Sequence, residues 1–195
     1  EGGCVTTNEP LLTDKIIEKR NHGIIKNKDQ FIYSPESFAP WYYEMKEIGW
    51  NYRVDEVSCA LGLSQLKRLQ KNIEKRRKIV DLYNKAFADS DYINTPKIKN
   101  NSLSYVWHLY SLSVAFDDIN ISRGQLMKNL LEEGIQTQVH YIPLFLQPYY
   151  RLADLDQFRG SIQYYKKTLS IPIYTQLNEQ DINFISSKIV KFVSL

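Results

Sequence analysis

The sequence has little cysteine, and its two cysteines form no pattern that would cross-link the chain. Cys4 and Cys59 make no CxxC pair among the 195 residues. This excludes a disulfide framework and argues against a zinc site, so we expect no metal. Sparse, unpaired cysteines are typical of a reducing compartment, and we predict that both thiols are buried in a cytoplasmic protein.

The chain also lacks long apolar runs and a large charge of one sign. No run approaches the roughly 20 residues that span a bilayer, and no signal-peptide pattern is present at the start. The 25 Lys and Arg residues against 22 Asp and Glu residues leave a net charge of +3. We therefore expect neither a membrane nor a nucleic acid as the main partner.

Glycine and proline are scarce, with 8 and 7 copies, while hydrophobic residues make up 43% of the chain. This composition excludes a disordered, collagen-like or low-complexity chain and is typical of a globular protein. The first residues, Glu1-Gly2-Gly3, precede any methionine, since the first methionine is Met45. We interpret the sequence as a piece of a longer protein.

Hydrophobic periodicity predicts helices in the first half of the chain, separated by an aromatic loop. A helix should follow Asn8, its predicted N-cap, with Pro10 in the first turn and Gly23 after its end. Residues 24–50 lose periodicity and are rich in tyrosine, tryptophan and proline, which favours a long loop. From 55 to 90, apolar residues recur at helical spacing and predict one long helix or two in succession.

The second of these helical regions contains one irregularity and a basic run. Arg76 occupies a position where the spacing predicts an apolar residue, and basic residues recur between Lys67 and Lys78. These charges spread around the helix and are interleaved with Glu74 and Asp81. A solvated face is therefore favoured over a nucleic-acid-binding stripe.

The second half is predicted to form a compact α/β unit from about Asp91 onward. Strands are expected at 106–116, 135–141 and 169–173, and helices at 122–134, at 160–168 and after 178. The first of these strands should be buried on both faces, because apolar residues occupy both of its alternating sets. Ser122 should form a capping box with Gln125, and Asn178 should cap the last helix.

The sequence lacks the common nucleotide-binding and hydrolase motifs, including GxGxxG, the P-loop, HExxH and GxSxG. Of its three histidines, His140 ends a predicted strand, where α/β folds present ligand-binding side chains, while His22 and His108 are expected to be surface or packing residues. Asn51 and Arg53 stand just before a predicted helix, where an amide and a guanidinium could converge on an anion. From the residues alone we predict an α/β protein for a small ligand.

The chain contains, in this order, the segments EGGCVTTN, RNHG, EIGWNYRVDEVSCALGLSQLKRL, VWHLYSL, VHYIPLFLQPYY and LSIPIY. Together they resemble the C-terminal half of the DegT-type sugar aminotransferases, over essentially the whole chain. The aromatic PWYYE segment, which lies just before the segment that contains NYR, most resembles, within that family, the transaminases of the pseudaminic acid route.

The resemblance implies a fold type I α/β enzyme that uses pyridoxal 5'-phosphate (PLP) and works as a homodimer with shared active sites. Residues 1–70 would be the C-terminal segment of the large PLP-binding domain. Residues 71–195 would be the small C-terminal α/β domain with its long linking helix. The implied reaction moves an amino group from glutamate to a nucleotide-linked 4-keto-6-deoxy sugar, for pseudaminic acid or related surface glycans.

The resemblance also implies roles for single residues. Asn51 resembles the amide that reaches the cofactor phosphate of the neighbouring subunit. Arg53 would contact the phosphates of the sugar nucleotide or stabilise the dimer edge, with a structural ion pair as an equal alternative. His140 and Tyr141 resemble residues that face the sugar. No catalytic residue is expected in this chain, because the family's Schiff-base lysine would lie upstream of Glu1, so the chain alone should be inactive.

Two alternatives stay open at this point. The chain could be a catalytically empty α/β module that binds a sugar nucleotide or a protein partner. It could also come from a family member that has turned from amination to dehydration, since the lysine that distinguishes the two chemistries would lie outside the sequence.

Overall fold

The computed structural model describes residues 3–33, 39–98, 105–150 and 155–194. The chain divides into two compact units, Glu1–Lys67 and Arg68–Leu195. The assignment of residues 1–70 and 71–195 to a large and a small domain stays a prediction, and residues 34–38 of the predicted aromatic loop lie outside the described residues.

The first unit contains two helices and a short antiparallel ribbon. Its elements are α1 (Pro10–Arg20), β1 (Ile24–Ile25), β2 (Glu44–Met45) and α2 (Glu56–Leu66). β1 pairs with β2 so that Ile24 faces Met45. The sequence does not predict this ribbon, because two-residue strands are too short to show an alternating pattern.

Two glycines allow the ends of this ribbon to approach each other closely. Gly23 has a positive φ of 70°, which favours glycine. A Cβ on Gly49 would overlap the backbone nitrogen of Gly23 and lie 2.7 Å from the carbonyl carbon of His22. The backbones on either side of the ribbon therefore meet at a distance that only glycine permits.

The second unit is a three-stranded sheet with helices packed around it. Its elements are α3 (Leu69–Ala86), β3 (Ile93–Asn94), β4 (Tyr110–Val114), α4 (Arg123–Glu132), α5 (Arg159–Lys167), β5 (Thr168–Ile171) and α6 (Glu179–Val193). The sheet is antiparallel with the spatial order β3, β4, β5. The architecture is mixed α/β, as predicted.

The core of the second unit gathers apolar side chains from α3, β4, α4, β5 and α6. Its fully buried members include Tyr83, Leu112, Leu130, Leu169 and Ile189. Tyr83 stacks on Tyr110 with ring centroids 5.1 Å apart. Both rings satisfy their hydroxyls, since Tyr83 donates to the carbonyl of Pro172 and Tyr110 donates to the side chain of Asn84. The two tyrosines therefore pack in an apolar core, and each of their hydroxyls has a hydrogen-bond acceptor.

Several helix predictions are confirmed. The region from 55 to 90 forms two helices in succession, α2 and α3, and Asp55 caps the first of them. Ser122 caps α4 as predicted, although the Gln125 side chain donates to Asn129 rather than back to the cap. Asn178 caps α6 in a full capping box with Asp181.

Other local predictions are wrong. Asn8 does not cap α1, which begins after Glu9 with Pro10 at its first position. The strand expected at 106–116 is only Tyr110–Val114 and is buried on one face, with Ser111 and Ser113 half-exposed on the other. Serines on that second face supply hydrogen-bonding groups rather than core volume.

The strand expected at 135–141 is also absent. Only Gln138 pairs there, in an isolated bridge with Ser170 of β5. Ile135 is buried, but the residues after it alternate between exposed and half-buried positions without forming a ladder. His140 therefore follows a single bridge rather than ending a strand.

Both cysteines are exposed, which contradicts the prediction of buried thiols. Cys59 lies on α2, a helix that has no buried residue although it is mostly apolar. Its large apolar side chains, Val57, Leu61, Leu63 and Leu66, are each at least 60% exposed. An apolar helix of this composition is normally covered by other protein.

Candidate functional site

The Asn-Tyr-Arg segment predicted to bind an anion lies against the end of α1. Its backbone is held by three hydrogen bonds: Trp50 N to Lys19 O at 2.7 Å, His22 N to Trp50 O at 2.9 Å and Tyr52 N to Arg20 O at 2.9 Å. The positive φ of His22, 60°, turns the chain out of α1 toward this contact. The segment is thus fixed by backbone pairing before any of its side chains is considered.

Asn51 and Arg53 are both exposed in this segment. Asn51 forms an isolated antiparallel bridge with Asn21. The Arg53 guanidinium donates a hydrogen bond to the Asn21 side-chain oxygen, so one asparagine orients both predicted residues. This bond engages Nη1 with a neutral amide, and both the phosphate contact and the structural ion pair stay predictions for Arg53.

The aromatic neighbours of Asn51 brace the segment. Trp50 and Tyr52 stack with centroids 5.6 Å apart, on the two sides of Asn51 in the sequence. Lys19 lies over the Trp50 ring at 5.9 Å and also binds the Glu47 carboxylate at 2.6 Å. Because its flanking rings are fixed, the Asn51 side chain projects from a braced backbone.

Glu44 organises the loop that precedes this segment, a role that the sequence analysis missed. Its carboxylate accepts the backbone N–H groups of Ile32 at 2.5 Å and Tyr33 at 2.7 Å, and the Tyr42 hydroxyl at 2.9 Å. Burial by itself raises the pKa of Glu44, but these three donors outweigh it and the pKa is lowered. A charged carboxylate therefore closes the loop.

His140 and Tyr141, the residues predicted to face a sugar, adjoin each other in the second unit. The imidazole is half-buried, and the Tyr141 ring meets it edge-on at 4.6 Å while remaining 72% exposed. The peptide bond between them is cis. The His140 ring therefore lies against the protein, while the Tyr141 ring projects into solvent.

The His140 ring is held by a buried serine that the sequence analysis did not single out. Nδ1 of His140 lies 2.9 Å from Oγ of Ser170 on β5. The only sequence signal was the placement of serines at alternate positions in β4 and near the middle of β5, and that pattern does not identify which serine meets a histidine. His108 is exposed before β4, and His22 belongs to the first unit.

The predicted residues thus fall into two groups, Asn51 with Arg53 in the first unit and His140 with Tyr141 in the second. Among the described residues, no three His, Cys, Asp or Glu side chains form a group that could hold a metal ion. The described helices include none that is long and apolar enough to cross a membrane.

The donor set of the first group suits a phosphate. An asparagine amide and an arginine guanidinium donate hydrogen bonds and carry no negative charge, and phosphate oxygens accept such bonds strongly. Neither side chain is buried, so a phosphate-bearing group can reach both. The residues therefore fit the phosphate of a cofactor such as PLP or of a nucleotide.

Residues 1–190 match the DegT/DnrJ/EryC1/StrS aminotransferase family. A UDP-4-amino-4,6-dideoxy-N-acetyl-beta-L-altrosamine transaminase of Campylobacter jejuni is 37% identical over 186 residues, covering 95% of this chain and 46% of that protein. The Spore coat polysaccharide biosynthesis protein SpsC of Bacillus subtilis is 35% identical, covering 94% of this chain and 47% of that protein.

Among solved structures, Helicobacter pylori PseC, described as an aminotransferase involved in the biosynthesis of pseudoaminic acid, superposes with a TM-score of 0.79 at 27% identity. That match covers 96% of this chain and 47% of the PseC chain. The chain therefore spans about half the length of the relatives that it matches.

Proposed function

The chain belongs to the DegT/DnrJ/EryC1/StrS aminotransferase family, and from this premise we propose that it forms part of a PLP-dependent sugar aminotransferase. The proposed reaction moves an amino group from glutamate to a nucleotide-linked 4-keto-6-deoxy sugar. The observation that carries the proposal is the family match over residues 1–190, together with a relative of 37% identity that is named for a nucleotide-sugar transamination. The likeness to PseC supports pseudaminic acid or a related surface glycan as the destination.

PLP, when bound, supplies an electron sink that lets an amino group pass between an amino acid and a keto-sugar. In this chain, the Asn51 amide would donate to the cofactor phosphate, as in the family pattern that its segment resembles. The braced backbone around Asn51 supports this role, because a donor that is already oriented loses little conformational freedom on binding.

Arg53 would bind the phosphates of the sugar nucleotide. Its bond to Asn21 fixes one edge of the guanidinium, and the remaining N–H donors can contact anionic oxygens. In the homodimer that we propose, Asn51 and Arg53 serve the active site of the neighbouring subunit. Neither residue moves a proton in this account, since both act by binding and orientation.

His140 and Tyr141 would contact the sugar from the second unit. A half-buried imidazole and an exposed phenol offer directional hydrogen bonds and an aromatic face, which are the groups that recognise sugars. The two residues would orient the sugar and exclude water from one side of it.

The exposed apolar helix α2 supports the placement of this chain within a larger body. Val57, Leu61, Leu63 and Leu66 present exposed apolar surface over more than half of the circumference of the helix. We propose that the rest of the protein or the dimer partner covers this helix. The isolated chain, without the family's lysine, should be inactive.

The test uses the complete protein with PLP, glutamate and a UDP-linked 4-keto-6-deoxy sugar. Glutamate-dependent formation of the amino sugar, with loss of the keto-sugar, is the expected result. A complete protein that neither binds PLP nor aminates the sugar would overturn the proposal. Dehydration of the sugar in place of amination would show instead that the protein is a dehydratase relative.

A further inference from the structure

A short chain of hydrogen bonds ends at the His140 ring. Nδ1 of His140 lies 2.9 Å from Oγ of Ser170, and that oxygen lies 2.8 Å from Oγ of Ser111. The three side chains come from the segment after the Gln138 bridge, from β5 and from β4. The contact is therefore tertiary, and no local sequence pattern produces it.

Ser170, the middle residue of these hydrogen bonds, has little freedom to move. Ser170 is only 5% exposed, and it faces Ser111 directly in the register of β4 and β5. On its other side, the Ser170 backbone exchanges two hydrogen bonds with Gln138, at 2.8 and 3.0 Å. Its hydroxyl is thus fixed between Ser111 and the histidine.

The direction of these two hydrogen bonds follows from where the hydroxyl protons can go. If Ser111 donates to Ser170 and Ser170 donates to His140 Nδ1, the two hydroxyl protons fill the two gaps between the three side chains. The opposite direction places a proton on Nδ1 and leaves the Ser111 hydroxyl proton in need of an acceptor outside the three. The first direction satisfies both hydroxyl protons within the three side chains, so it is favoured.

We propose that Ser170 is a positioning residue that keeps the neutral His140 ring in the Nε2–H tautomer, with Ser111 orienting the Ser170 hydroxyl. The ring nitrogen left for a ligand then carries a proton and donates to an acceptor oxygen. That this oxygen belongs to the nucleotide sugar rests on the proposed function. The tautomer itself depends only on the contacts of the folded chain.

The tautomer can be measured by long-range ¹H–¹⁵N correlation NMR on the 195-residue chain labelled with ¹⁵N-histidine, at about pH 9, where an imidazole of ordinary pKa is neutral. The chain has three histidines, so the signals can be assigned with His22→Gln, His108→Gln and His140→Gln. We expect His140 to show an unprotonated Nδ1 and a protonated Nε2.

The serine variants test the cause. We expect Ser170→Ala to lower the ratio of the Nε2–H to the Nδ1–H tautomer about fivefold, the effect of removing one ordinary hydrogen bond. Ser170→Thr keeps a hydroxyl and should restore the ratio. Ser186→Ala is the matched control, because Ser186 is another buried serine but bonds the Ile182 carbonyl within α6. An Nδ1–H tautomer in the unaltered chain, or an unchanged ratio in Ser170→Ala, would overturn the proposal.

A kinetic measurement on the complete protein tests the donor role. Ser170→Ala should raise KM for the UDP-linked keto-sugar about fivefold and leave KM for glutamate unchanged, because the proposed function assigns His140 to the sugar. An unchanged KM for the sugar overturns the donor role. If the unaltered protein does not aminate the sugar but the NMR result is as expected, only the proposed function is overturned.

Discussion

Arg76 donates a hydrogen bond from Nη1 to the backbone carbonyl of Trp107, 2.9 Å away and 31 residues further along the chain. The same nitrogen lies 2.9 Å from the carbonyl of Ile173, which follows β5. The arginine that breaks the apolar pattern of α3 therefore joins the helix to the segments before β4 and after β5, which adjoin at one end of these antiparallel strands. A charged donor satisfies carbonyls that lie just beyond the paired residues of β4 and β5.

We predict that Arg76→Met lowers the free energy of unfolding by about 2 kcal/mol, since two carbonyls lose a charged donor in a partly buried place. Lys75→Met, at the exposed neighbouring position, is the control and should change the value by less than about 0.5 kcal/mol. Urea unfolding followed by circular dichroism measures both. Equal stabilities of the two variants would mean that Arg76 is only a surface cation.

Gly49→Ala should destabilise the first unit by about 2 kcal/mol or more, because the added methyl group overlaps the Gly23 backbone. The backbone must separate there, and the Asn51 segment would lose its register with α1. Gly62→Ala is the control: apart from the helix's own neighbouring backbone, no atom lies within 4 Å of a Cβ at that position, so it should be neutral or stabilising. Thermal unfolding of both variants decides the point, and a tolerated alanine at position 49 contradicts it.

The Glu44 carboxylate should make the first unit sensitive to acid. Its pKa is lower in the folded chain than in the unfolded one, so its contribution to stability is present above the unfolded value of about 4.3 and is lost as pH falls through the lower folded value. Glu44→Gln should remove this acid-dependent component, since a glutamine cannot accept from all three donors as a carboxylate does.

The measurement for Glu44 is the urea midpoint as a function of pH, compared with that of Glu132→Gln, which alters an exposed carboxylate on α4. The control should keep the acid-dependent loss of the unaltered chain. If Glu44→Gln keeps it as well, the loop is not closed by this charge.

Much of the fold could be predicted because its signals are local. The helical spacing in α3 and α6 and the caps at Ser122 and Asn178 are each contained within a few residues. The prediction of a strand at 135–141 failed because β pairing depends on residues that are distant in the sequence, and in that range only Gln138 forms a bridge. The burial predicted for Cys59 failed for a similar reason, since its apolar helix has no cover among the described residues.

The candidate site was predictable to the same degree. Asn51 and Arg53 were singled out by their position before a helix and by the family pattern, and the structure adds Asn21 as the residue that orients them. Ser170 could not be found from the sequence, because its contact with His140 joins positions 30 residues apart through a β bridge.

Asn178→Ala should cost about 1 kcal/mol of stability, because it removes the acceptor for the Asp181 N–H at the start of α6. Asn183→Ala makes the same chemical change at an exposed position inside that helix, where alanine is the better helix former. We expect the second variant to be neutral or slightly stabilising. Thermal unfolding of the two variants measures this difference. An equal loss of stability in both would contradict the capping role of Asn178.

The most direct test of the account is PLP binding and glutamate-dependent amination by the complete protein, unaltered and as Asn51→Ala. We predict amination of a UDP-linked 4-keto-6-deoxy sugar by the unaltered protein. In Asn51→Ala we predict PLP affinity about tenfold weaker, as expected for the loss of one hydrogen bond to a charged phosphate. A complete protein that binds no PLP would contradict the account. An Asn51→Ala variant that binds PLP as tightly as the unaltered protein would contradict it as well.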